Sequence, residues 1–220
     1  REQLQEVYVS ESFLEKCSCR EHLEEVGYEV VSDSVFSKIS DTCTPQGVLC
    51  VLKQFHYNIE EMLRDKAPLF LLLENIQDPG NLGTMLRTGE GAGVSGIIMS
   101  RDTVDLYNPK VIRSTMGSIY RVPFYYADDF AAAVHQVQQA GVSVYAAHLR
   151  GKNSYACQDY TKGTAFLIGN EGNGLREETA ELADCYIRIP MEGKVESLNA
   201  AVASSILMYE AHRQRATIEK

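Results

Sequence analysis

The sequence predicts an α/β fold, in which a mostly parallel sheet carries helices on both faces and follows a small α/β unit. Apolar runs such as Leu69–Leu73 and Phe166–Ile168 have the length and composition of strands buried on both faces. Stretches with helical periodicity separate these runs, and strands that alternate with helices form parallel sheets. Polar, glycine-bearing loops follow two of the strands, and open α/β sheets bind ligands at such strand ends.

The smaller unit is predicted at residues 1–53, joined through residues 54–67 to a larger domain at 68–220. Its predicted elements are strands at 6–10, 28–31 and 47–52 and helices at 11–26 and 34–39. A helical stretch at 58–66 lies in the connection, and Pro68 marks the boundary. The chain starts without a methionine and close to a strand, so we expect the front unit to be truncated.

The larger domain continues the alternation of strands and helices. Its strands are predicted at 69–73, 96–100, 121–125, 142–146, 164–168 and 186–189. Helices are predicted around Leu82–Leu86 and at 109–119, 128–140, 176–183 and 197–213. Ser197 is expected to cap the last helix, because a serine hydroxyl can accept a hydrogen bond from the free amides of the first turn.

The distribution of charge is uneven along the chain. The net charge is −9, but residues 1–65 contribute 6 basic and 13 acidic residues, a net of −7. Between Arg101 and Arg121 the chain instead carries four basic residues and two acidic ones. The sequence therefore argues against a general, non-specific nucleic-acid binder while leaving room for a local basic surface.

Cysteine and histidine spacing predicts no metal site. Six cysteines are spread without a zinc-ligand pattern, and the five histidines form no H-E-x-x-H pair. Free thiols in a reducing compartment are the expected state. The chain also contains neither a secretory leader nor an apolar run of the roughly 20 residues that span a membrane. We therefore expect a cytoplasmic protein with no membrane partner.

A glycine fingerprint at Gly91–Gly96 is not expected to bind a dinucleotide. The segment matches G-x-G-x-x-G, which binds a pyrophosphate only where it follows a strand and opens a helix. Here a helix precedes the glycines and a strand follows them. They are predicted to end that helix and form a turn.

Two loops at strand ends carry the candidate functional residues. The first contains Asn81 near a helix start, with Arg87 six residues later in the same helix. Arg87 is either a surface cation or a group that holds a phosphate or polarises a hydroxyl. The second loop, Gly169–Gly174, places Glu171 among glycines that would let a ligand approach the backbone closely.

Three separated segments resemble a known family. They are Asn81-x-Gly-x-x-x-Arg-Thr88, Ile168-Gly-Asn-Glu-Gly-x-Gly-Leu175, and Ile189-Pro-Met191 with Ser197-Leu-Asn199. Their order and spacing are similar to the three motifs of the SpoU/TrmH-type RNA ribose 2′-O-methyltransferases, within the SPOUT superfamily. The resemblance covers roughly residues 66–215, and residues 1–53 resemble, more weakly, an L30e-like RNA-recognition domain.

The resemblance implies a C-terminal trefoil knot, a homodimer and S-adenosylmethionine as the cofactor, bound without a metal. Backbone groups of Gly169, Ile189 and Leu198 would contact the cofactor, and the neighbouring Asn170, Pro190 and Met191 are further cofactor-binding candidates. The catalytic candidates are Arg87, Asn81, Glu171, Ser197 and Asn199. Arg87, Arg113 and Ser114 are the candidates for contact with substrate RNA.

The resemblance implies the following roles. Arg87 would act on the ribose hydroxyl either as a general base or as a cation that stabilises the forming alkoxide or holds a phosphate. Because arginine stays protonated in proteins, the electrostatic role is physically easier, and both alternatives stay open at this point. Asn81 would position Arg87 or the substrate, and Glu171, Ser197 and Asn199 would orient the loops and the RNA. The L30e-like front favours ribosomal RNA as the substrate. The alternatives are a tRNA ribose methyltransferase, an inactive RNA-binding protein of the same fold and, ranked last, a nicotinamide-dependent enzyme.

Overall fold

The computed structural model describes residues 3–18 and 20–218. The chain divides into two compact units, Arg1–His56 and Tyr57–Lys220. In the described residues, no helix is both long enough and apolar enough to cross a membrane.

The first unit is a three-stranded sheet with short helices. Its elements are β1 (Leu4–Ser10), α1 (Glu11–Lys16), α2 (Arg20–Val26), β2 (Glu29–Val31), α3 (Asp33–Ile39) and β3 (Val48–Leu52). The central strand β1 pairs in parallel with β2 and antiparallel with β3. A small core of Val7, Val9 and Leu23 lies beneath it.

The second unit contains the longer alternation of strands and helices. Its helices are α4 (Ile59–Met62), α5 (Pro79–Ala92), α6 (Pro109–Thr115), α7 (Phe130–Gln139), α8 (Glu177–Ala180) and α9 (Ala200–Ile218). Its strands are β4 (Leu69–Leu73), β5 (Gly96–Ser100), β6 (Phe124–Ala127), β7 (Ser143–Ala147), β8 (Asn153–Ser154), β9 (Thr164–Ile168) and β10 (Cys185–Arg188). Short 3₁₀ turns occupy Ser118–Tyr120 and Tyr155–Cys157.

The seven strands of this unit form one sheet in the order β6-β5-β4-β9-β7-β10-β8. Every pairing in the sheet is parallel, which confirms the predicted α/β class. All residues of β4, β5 and β9 are buried, as expected for central strands covered on both faces. Helix α5 packs against α6 and α9, so the first motif, on α5, lies on a helix that touches the helix following the third motif.

Several predicted elements differ from the structure. The helix expected at 109–119 ends at Thr115, because Met116 takes the left-handed conformation. The helix expected at 11–26 is two helices, because Cys17 has extended backbone and ends α1. The strand expected at 121–125 begins at Phe124. Arg121 ends a 3₁₀ turn and pairs with Glu90, and Pro123 lacks the amide that a strand residue donates. The helical stretch expected at 58–66 is limited to Ile59–Met62.

The glycine fingerprint ends a helix, as predicted. Helix α5 stops at Ala92, and Gly93 caps it in the left-handed conformation with φ of 77°. The Gly93 and Val94 amides bond back to carbonyls of the last turn, and β5 begins at Gly96. The glycines thus follow a helix and precede a strand, the reverse of the order that places a pyrophosphate at a helix N-terminus.

Candidate active site

A cavity of about 270 Å³ opens where the loops after β7, β9 and β10 meet the start of α9. These loops leave the carboxyl ends of parallel neighbouring strands, where open α/β sheets bind their ligands. Apolar side chains form much of the wall: Ile168, Leu175, Ile187, Ile189, Met191, Leu198 and Leu207. The polar part of the lining comes chiefly from the loop Gly169–Gly174 and from Glu196 and Ser197.

The loop Gly169–Gly174 is held in shape by its own hydrogen bonds. Asn170 and Gly174 exchange two backbone hydrogen bonds, at 3.0 and 2.9 Å. The Asn170 side-chain oxygen accepts from the amides of Gly172 (2.9 Å) and Asn173 (3.1 Å). The Asn170 amide group donates to the Asn75 carbonyl at 2.8 Å, which ties this loop to the loop after β4.

Gly169 is required by the loop itself. A Cβ at this position would lie 2.2 Å from backbone atoms of both Gly174 and Leu175. The sequence predicts that this loop contains glycines to let a ligand approach the backbone. At Gly169 the backbone that approaches closely is instead that of Gly174 and Leu175, at the end of the same loop. No local sequence pattern reveals this contact.

One chain of hydrogen bonds joins the three motifs. The Asn81 side chain donates from Nδ2 to Glu171 Oε1 at 3.0 Å. The same side chain accepts, at Oδ1, a hydrogen bond of 2.9 Å from Asn199 Nδ2. Asn81 thus bridges residues that lie 90 and 118 positions away along the chain. Because both ends of its amide are engaged, Asn81 is placed to position the other two residues.

Glu171 also fixes the start of α5. Its carboxylate accepts from the backbone amides of Gln77 (3.1 Å) and Asp78 (3.0 Å), in addition to the Asn81 side chain. Partial burial raises the pKa of Glu171, but the hydrogen bonds from Asn81, Asp78 and Gln77 outweigh it, so the net pKa is lowered. Glu171 is therefore ionised near neutral pH and acts as an acceptor of hydrogen bonds.

Asn199 caps the last helix, which corrects the expectation for Ser197. Helix α9 begins at Ala200, and Asn199 Oδ1 accepts from the amides of Ala201 (2.9 Å) and Val202 (3.2 Å). Asparagine is among the preferred residues at this position. Ser197 is exposed, lies before the helix and lines the cavity.

Arg87 lies in the middle of α5 and is exposed. Its side chain makes no hydrogen bond or ion pair with any residue that the structure describes. Other arginines of this unit, such as Arg121 with Glu90 and Arg101 with Asp128, are already paired with carboxylates. The Arg87 guanidinium therefore keeps all five of its N–H donors available to a bound anion.

Arg113 and Ser114, the other candidates for RNA contact, lie on α6. Arg113 is exposed, and its Nε donates to the Pro109 carbonyl within the same helix. The Ser114 hydroxyl bonds to the carbonyls of Val111 (2.8 Å) and Pro79 (3.2 Å). It also packs on Gly83, where an added Cβ would lie 1.7 Å from Ser114 Oγ. Ser114 thus holds α6 against α5.

The predicted cofactor residues fall around one cavity. Gly169, Asn170, Ile189, Met191 and Leu198 line it, as do the catalytic candidates Glu171 and Ser197. Pro190 does not line this cavity, and neither do Asn81, Arg87 and Asn199, although Asn81 and Asn199 belong to the hydrogen-bond chain that reaches Glu171.

A second network next to the site was missed by sequence reasoning. Glu74 directly follows β4 and is only 1% exposed. Its carboxylate accepts from the Arg176 amide at 2.8 Å and from the Thr179 hydroxyl, and it lies 3.5 Å from Arg176 Nη1. Arg176 also pairs with Asp102. The only sequence signal for this network is a carboxylate placed immediately after a fully apolar strand.

His148, Arg188 and Glu196 also line the cavity and were not predicted. His148 Nδ1 accepts from the Arg150 amide at 3.1 Å. Burial, and then the charge of Arg150, lowers the pKa of His148, so its imidazole is neutral near pH 7. Within residues 3–18 and 20–218, no group of three or more His, Cys, Asp or Glu residues could hold a metal ion.

Comparisons with known proteins agree on one family. Residues 68–209 match the SpoU rRNA Methylase family. The chain is 35% identical over 180 residues to the 23S rRNA (guanosine(2553)-2′-O)-methyltransferase RlmP of Bacillus subtilis, covering 82% of this chain and 70% of that one. It is 32% identical to the 23S rRNA (guanosine-2′-O-)-methyltransferase RlmB of Bordetella pertussis, covering 97% of this chain and 91% of the relative.

Solved structures show the same relationship. The AdoMet-bound rRNA methyltransferase of Sinorhizobium meliloti superposes with a TM-score of 0.81 at 32% identity, covering 96% of this chain and 80% of that one. The AdoMet complex of the SpoU methyltransferase AviRb from Streptomyces viridochromogenes gives a TM-score of 0.86 at 26% identity, covering 97% and 84%. The chain therefore belongs to the SpoU rRNA methylase family.

Proposed function

We propose that this protein methylates the 2′-hydroxyl of a ribose in RNA, with S-adenosylmethionine as methyl donor and ribosomal RNA as substrate. The observation that carries the proposal is the hydrogen-bond chain from Glu171 through Asn81 to Asn199, which joins the three family motifs beside the cavity. The names of the relatives support 2′-O-methylation of 23S rRNA, and the AdoMet-bound neighbours support the cofactor.

The cavity has the chemistry that S-adenosylmethionine requires. Apolar side chains including Ile189, Leu198 and Leu207 would pack against an adenine ring. Polar groups of the loops after β9 and β10 lie on the same cavity and would bind the ribose and the amino-acid end. When bound, the cofactor supplies a methyl group already activated by a positive sulfonium, a chemistry that needs no metal.

Arg87 is proposed as the catalytic residue that meets the RNA. A ribose hydroxyl is a weak nucleophile, and negative charge develops on its oxygen as the methyl group is transferred. A guanidinium without a partner among the described residues can stabilise that charge or hold an adjacent phosphate. Because arginine stays protonated, we assign Arg87 an electrostatic role, with the proton leaving to solvent or to an RNA phosphate.

Asn81, Glu171 and Asn199 are proposed as positioning residues. Their hydrogen bonds fix the start of α5, the loop after β9 and the start of α9 relative to one another. Arg87 stands on α5, so the same bonds set the helix that carries it. Ser197 lines the cavity and is proposed to contact the RNA or the cofactor, and Arg113 is proposed to contact RNA phosphates.

We further propose that the C-terminal part of the larger domain forms a trefoil knot. Strand β9 inserts between β4 and β7, and β10 inserts between β7 and β8, so the chain re-enters the sheet between strands already placed. The segments after β9 and β10 then converge on one cavity. Both features support a threaded C-terminus.

A homodimer is proposed through the surface formed by α5 and α9. Val202 and Tyr209 stand two turns apart on α9 and are 48% and 49% exposed. The Tyr209 hydroxyl lies over Gly91 of α5, at 3.0 Å from where a Cβ would stand. Exposed apolar side chains beside a small residue favour close contact with another protein surface.

Residues 1–53 are proposed as an L30e-like RNA-recognition domain, residues 54–67 as a linker, and residues 68–220 as the catalytic domain. The three-stranded sheet with its flanking helices supports the first assignment. Ribosomal RNA as substrate favours a cytoplasmic location for the protein.

The test of the proposed function is transfer of tritium from labelled S-adenosylmethionine to unmodified ribosomal RNA and tRNA transcripts. Label is expected in ribosomal RNA. Arg87→Ala is expected to abolish the transfer while leaving cofactor binding within about twofold, since Arg87 does not line the cavity. Arg64→Ala, which removes an exposed arginine outside the three motifs, is the matched control and should retain activity.

Label in tRNA alone would replace the proposed substrate with the tRNA alternative. Equal loss of cofactor binding and turnover in Arg87→Ala would contradict the role assigned to Arg87. Cofactor binding without transfer to either RNA would favour an RNA-binding protein that has lost catalysis.

A further inference from the structure

Four ionisable side chains line the cavity, and two of them are already committed to other groups. Glu171 accepts three hydrogen bonds, and His148 accepts one from the Arg150 amide. Arg188 and Glu196 are both exposed, and their side chains make no hydrogen bond or ion pair with a described residue. Glu196 is therefore the carboxylate on this cavity wall that remains available to a ligand.

The segment that carries Glu196 is anchored at its end. Asn199, three residues later, is fixed by its bond to Asn81 and by the amides of the first turn of α9. Ser197 and Leu198, the two residues between, also line the cavity. The carboxylate of Glu196 is thus held near the cavity by a short, tethered stretch.

The ligand of this cavity changes charge during the proposed reaction, on which this inference rests. The ribose oxygen forms a bond to the methyl carbon and loses its proton, while the methyl–sulfur bond breaks with its electron pair remaining on sulfur. S-adenosylmethionine therefore carries one more positive charge than S-adenosylhomocysteine. A carboxylate at the cavity wall interacts more favourably with the substrate form than with the product form.

We propose that Glu196 makes the cavity distinguish S-adenosylmethionine from S-adenosylhomocysteine by charge. Its carboxylate strengthens binding of the positively charged methyl donor and contributes nothing comparable to the neutral sulfur of the product. The consequence for turnover is that the product leaves more readily than the substrate cofactor, and that free product competes less well for the cavity.

The experiment measures the dissociation constants of both ligands by calorimetry, without RNA, for the wild-type protein and for Glu196→Gln. Glutamine keeps the size of the side chain and removes its charge. We expect Glu196→Gln to weaken S-adenosylmethionine about threefold to fivefold, the range of a partly solvated ion pair, with S-adenosylhomocysteine unchanged. Sinefungin, which carries an amine in place of the sulfonium, should follow S-adenosylmethionine.

The matched control is Glu192→Gln. Glu192 lies on the same loop, is exposed and does not line the cavity, so its substitution makes the same change in net charge. It should leave the ratio of the two dissociation constants unchanged. Raising the salt concentration should reduce the preference of the wild-type protein for S-adenosylmethionine, because salt screens exposed charges. Thermal unfolding of each variant checks that the fold is retained.

Each outcome decides a different point. Equal weakening of both ligands by Glu196→Gln, or no effect on either, would overturn the role of Glu196 and leave the proposed function intact. If Glu192→Gln changed the ratio of the two dissociation constants as much as Glu196→Gln, the preference would come from the total negative charge of the loop. That result would also overturn the role of Glu196. Failure of the wild-type protein to bind either ligand would instead refute the proposed cofactor.

Discussion

The substitution Asn81→Asp tests whether the bridge between the three motifs holds the site together. The change keeps the oxygen that accepts from Asn199 and replaces the Nδ2 donor with a second oxygen. The new oxygen would lie where Nδ2 now lies, 3.0 Å from Glu171 Oε1, so two negatively charged carboxylates would be in contact. Asn81→Ala, which removes both hydrogen bonds without adding a charge, is the matched control.

The magnitude follows from Coulomb's law. Two unit charges about 3 Å apart repel by about 2 kcal/mol at an effective dielectric constant of about 60, a value suited to this exposed site. Loss of a hydrogen bond to a charged acceptor adds about 1.5 kcal/mol. We therefore expect Asn81→Asp to lower the free energy of unfolding by about 3.5 kcal/mol at pH 8. Asn81→Ala also loses the neutral bond from Asn199, worth about 1 kcal/mol, so it should cost about 2.5 kcal/mol.

The pH dependence gives this prediction its sign. Two adjacent carboxylates raise the pKa of the pair in the folded state, so the folded variant binds a proton more tightly than the unfolded chain. The excess destabilisation of Asn81→Asp should therefore be present at pH 8 and disappear as the pH falls through that raised pKa. In the wild-type protein the pKa of Glu171 is lowered, so its contribution is present above its ordinary pKa and is lost as the pH falls.

Urea denaturation of wild type, Asn81→Asp, Asn81→Ala and the double variant Asn81→Asp/Glu171→Gln measures these effects at pH 5 and pH 8. The double variant removes the repulsion and restores a donor toward the new carboxylate, so it should recover part of the lost stability. Recovery is incomplete because the Asp78 amide, which donates to the same Glu171 oxygen, loses its acceptor. If Asn81→Asp is no less stable than Asn81→Ala at pH 8, and the double variant is merely additive, the bridge between Asn81 and Glu171 does not exist in solution.

Two further predictions concern the loop after β9 and the end of α9. Gly169→Ala should destabilise the protein by at least about 3 kcal/mol and abolish cofactor binding, because its Cβ would collide with backbone atoms. Gly193→Ala, with nothing within 4 Å of an added Cβ, should be neutral in both thermal unfolding and calorimetry, and a tolerated Gly169→Ala would contradict the loop geometry. Arg215→Lys should cost about 2 kcal/mol in urea denaturation. Its guanidinium donates to the carbonyls of Ala67, Pro68, Tyr160 and Lys162. Arg213→Lys, at an exposed arginine whose side chain pairs only with Glu210 among the described residues, should be close to neutral.

Strands buried on both faces could be predicted to the residue. The boundaries of β4, β5 and β9 coincide with the apolar runs Leu69–Leu73, Gly96–Ser100 and Thr164–Ile168. Where contacts between residues distant in sequence determine the start of a strand, the hydrophobic pattern does not predict it. Arg121 continues the apparent strand before Phe124 but is held by Glu90, and the two-residue strand Asn153–Ser154 is too short to carry a periodic signal.

The candidate site was predictable as a set of residues but not as a set of contacts. Resemblance to the three motifs identified Asn81, Glu171 and Asn199, yet the bonds between them cross at least 90 positions of sequence. The network of Glu74, Arg176 and Asp102 has the same non-local character. Glu196 stands between the two segments of the third motif, directly before Ser197, but only the fold shows that it lines the cavity.

The most direct test of ribose methylation is the resistance of the labelled RNA to alkali. A methyl group on the 2′-oxygen prevents that oxygen from attacking the neighbouring phosphodiester. After transfer of tritium to ribosomal RNA and complete alkaline hydrolysis, we expect the label in an alkali-resistant dinucleotide, and none after reaction with Arg87→Ala. Label recovered in mononucleotides would place the methyl group on a base and contradict the assignment of this site to the ribose hydroxyl.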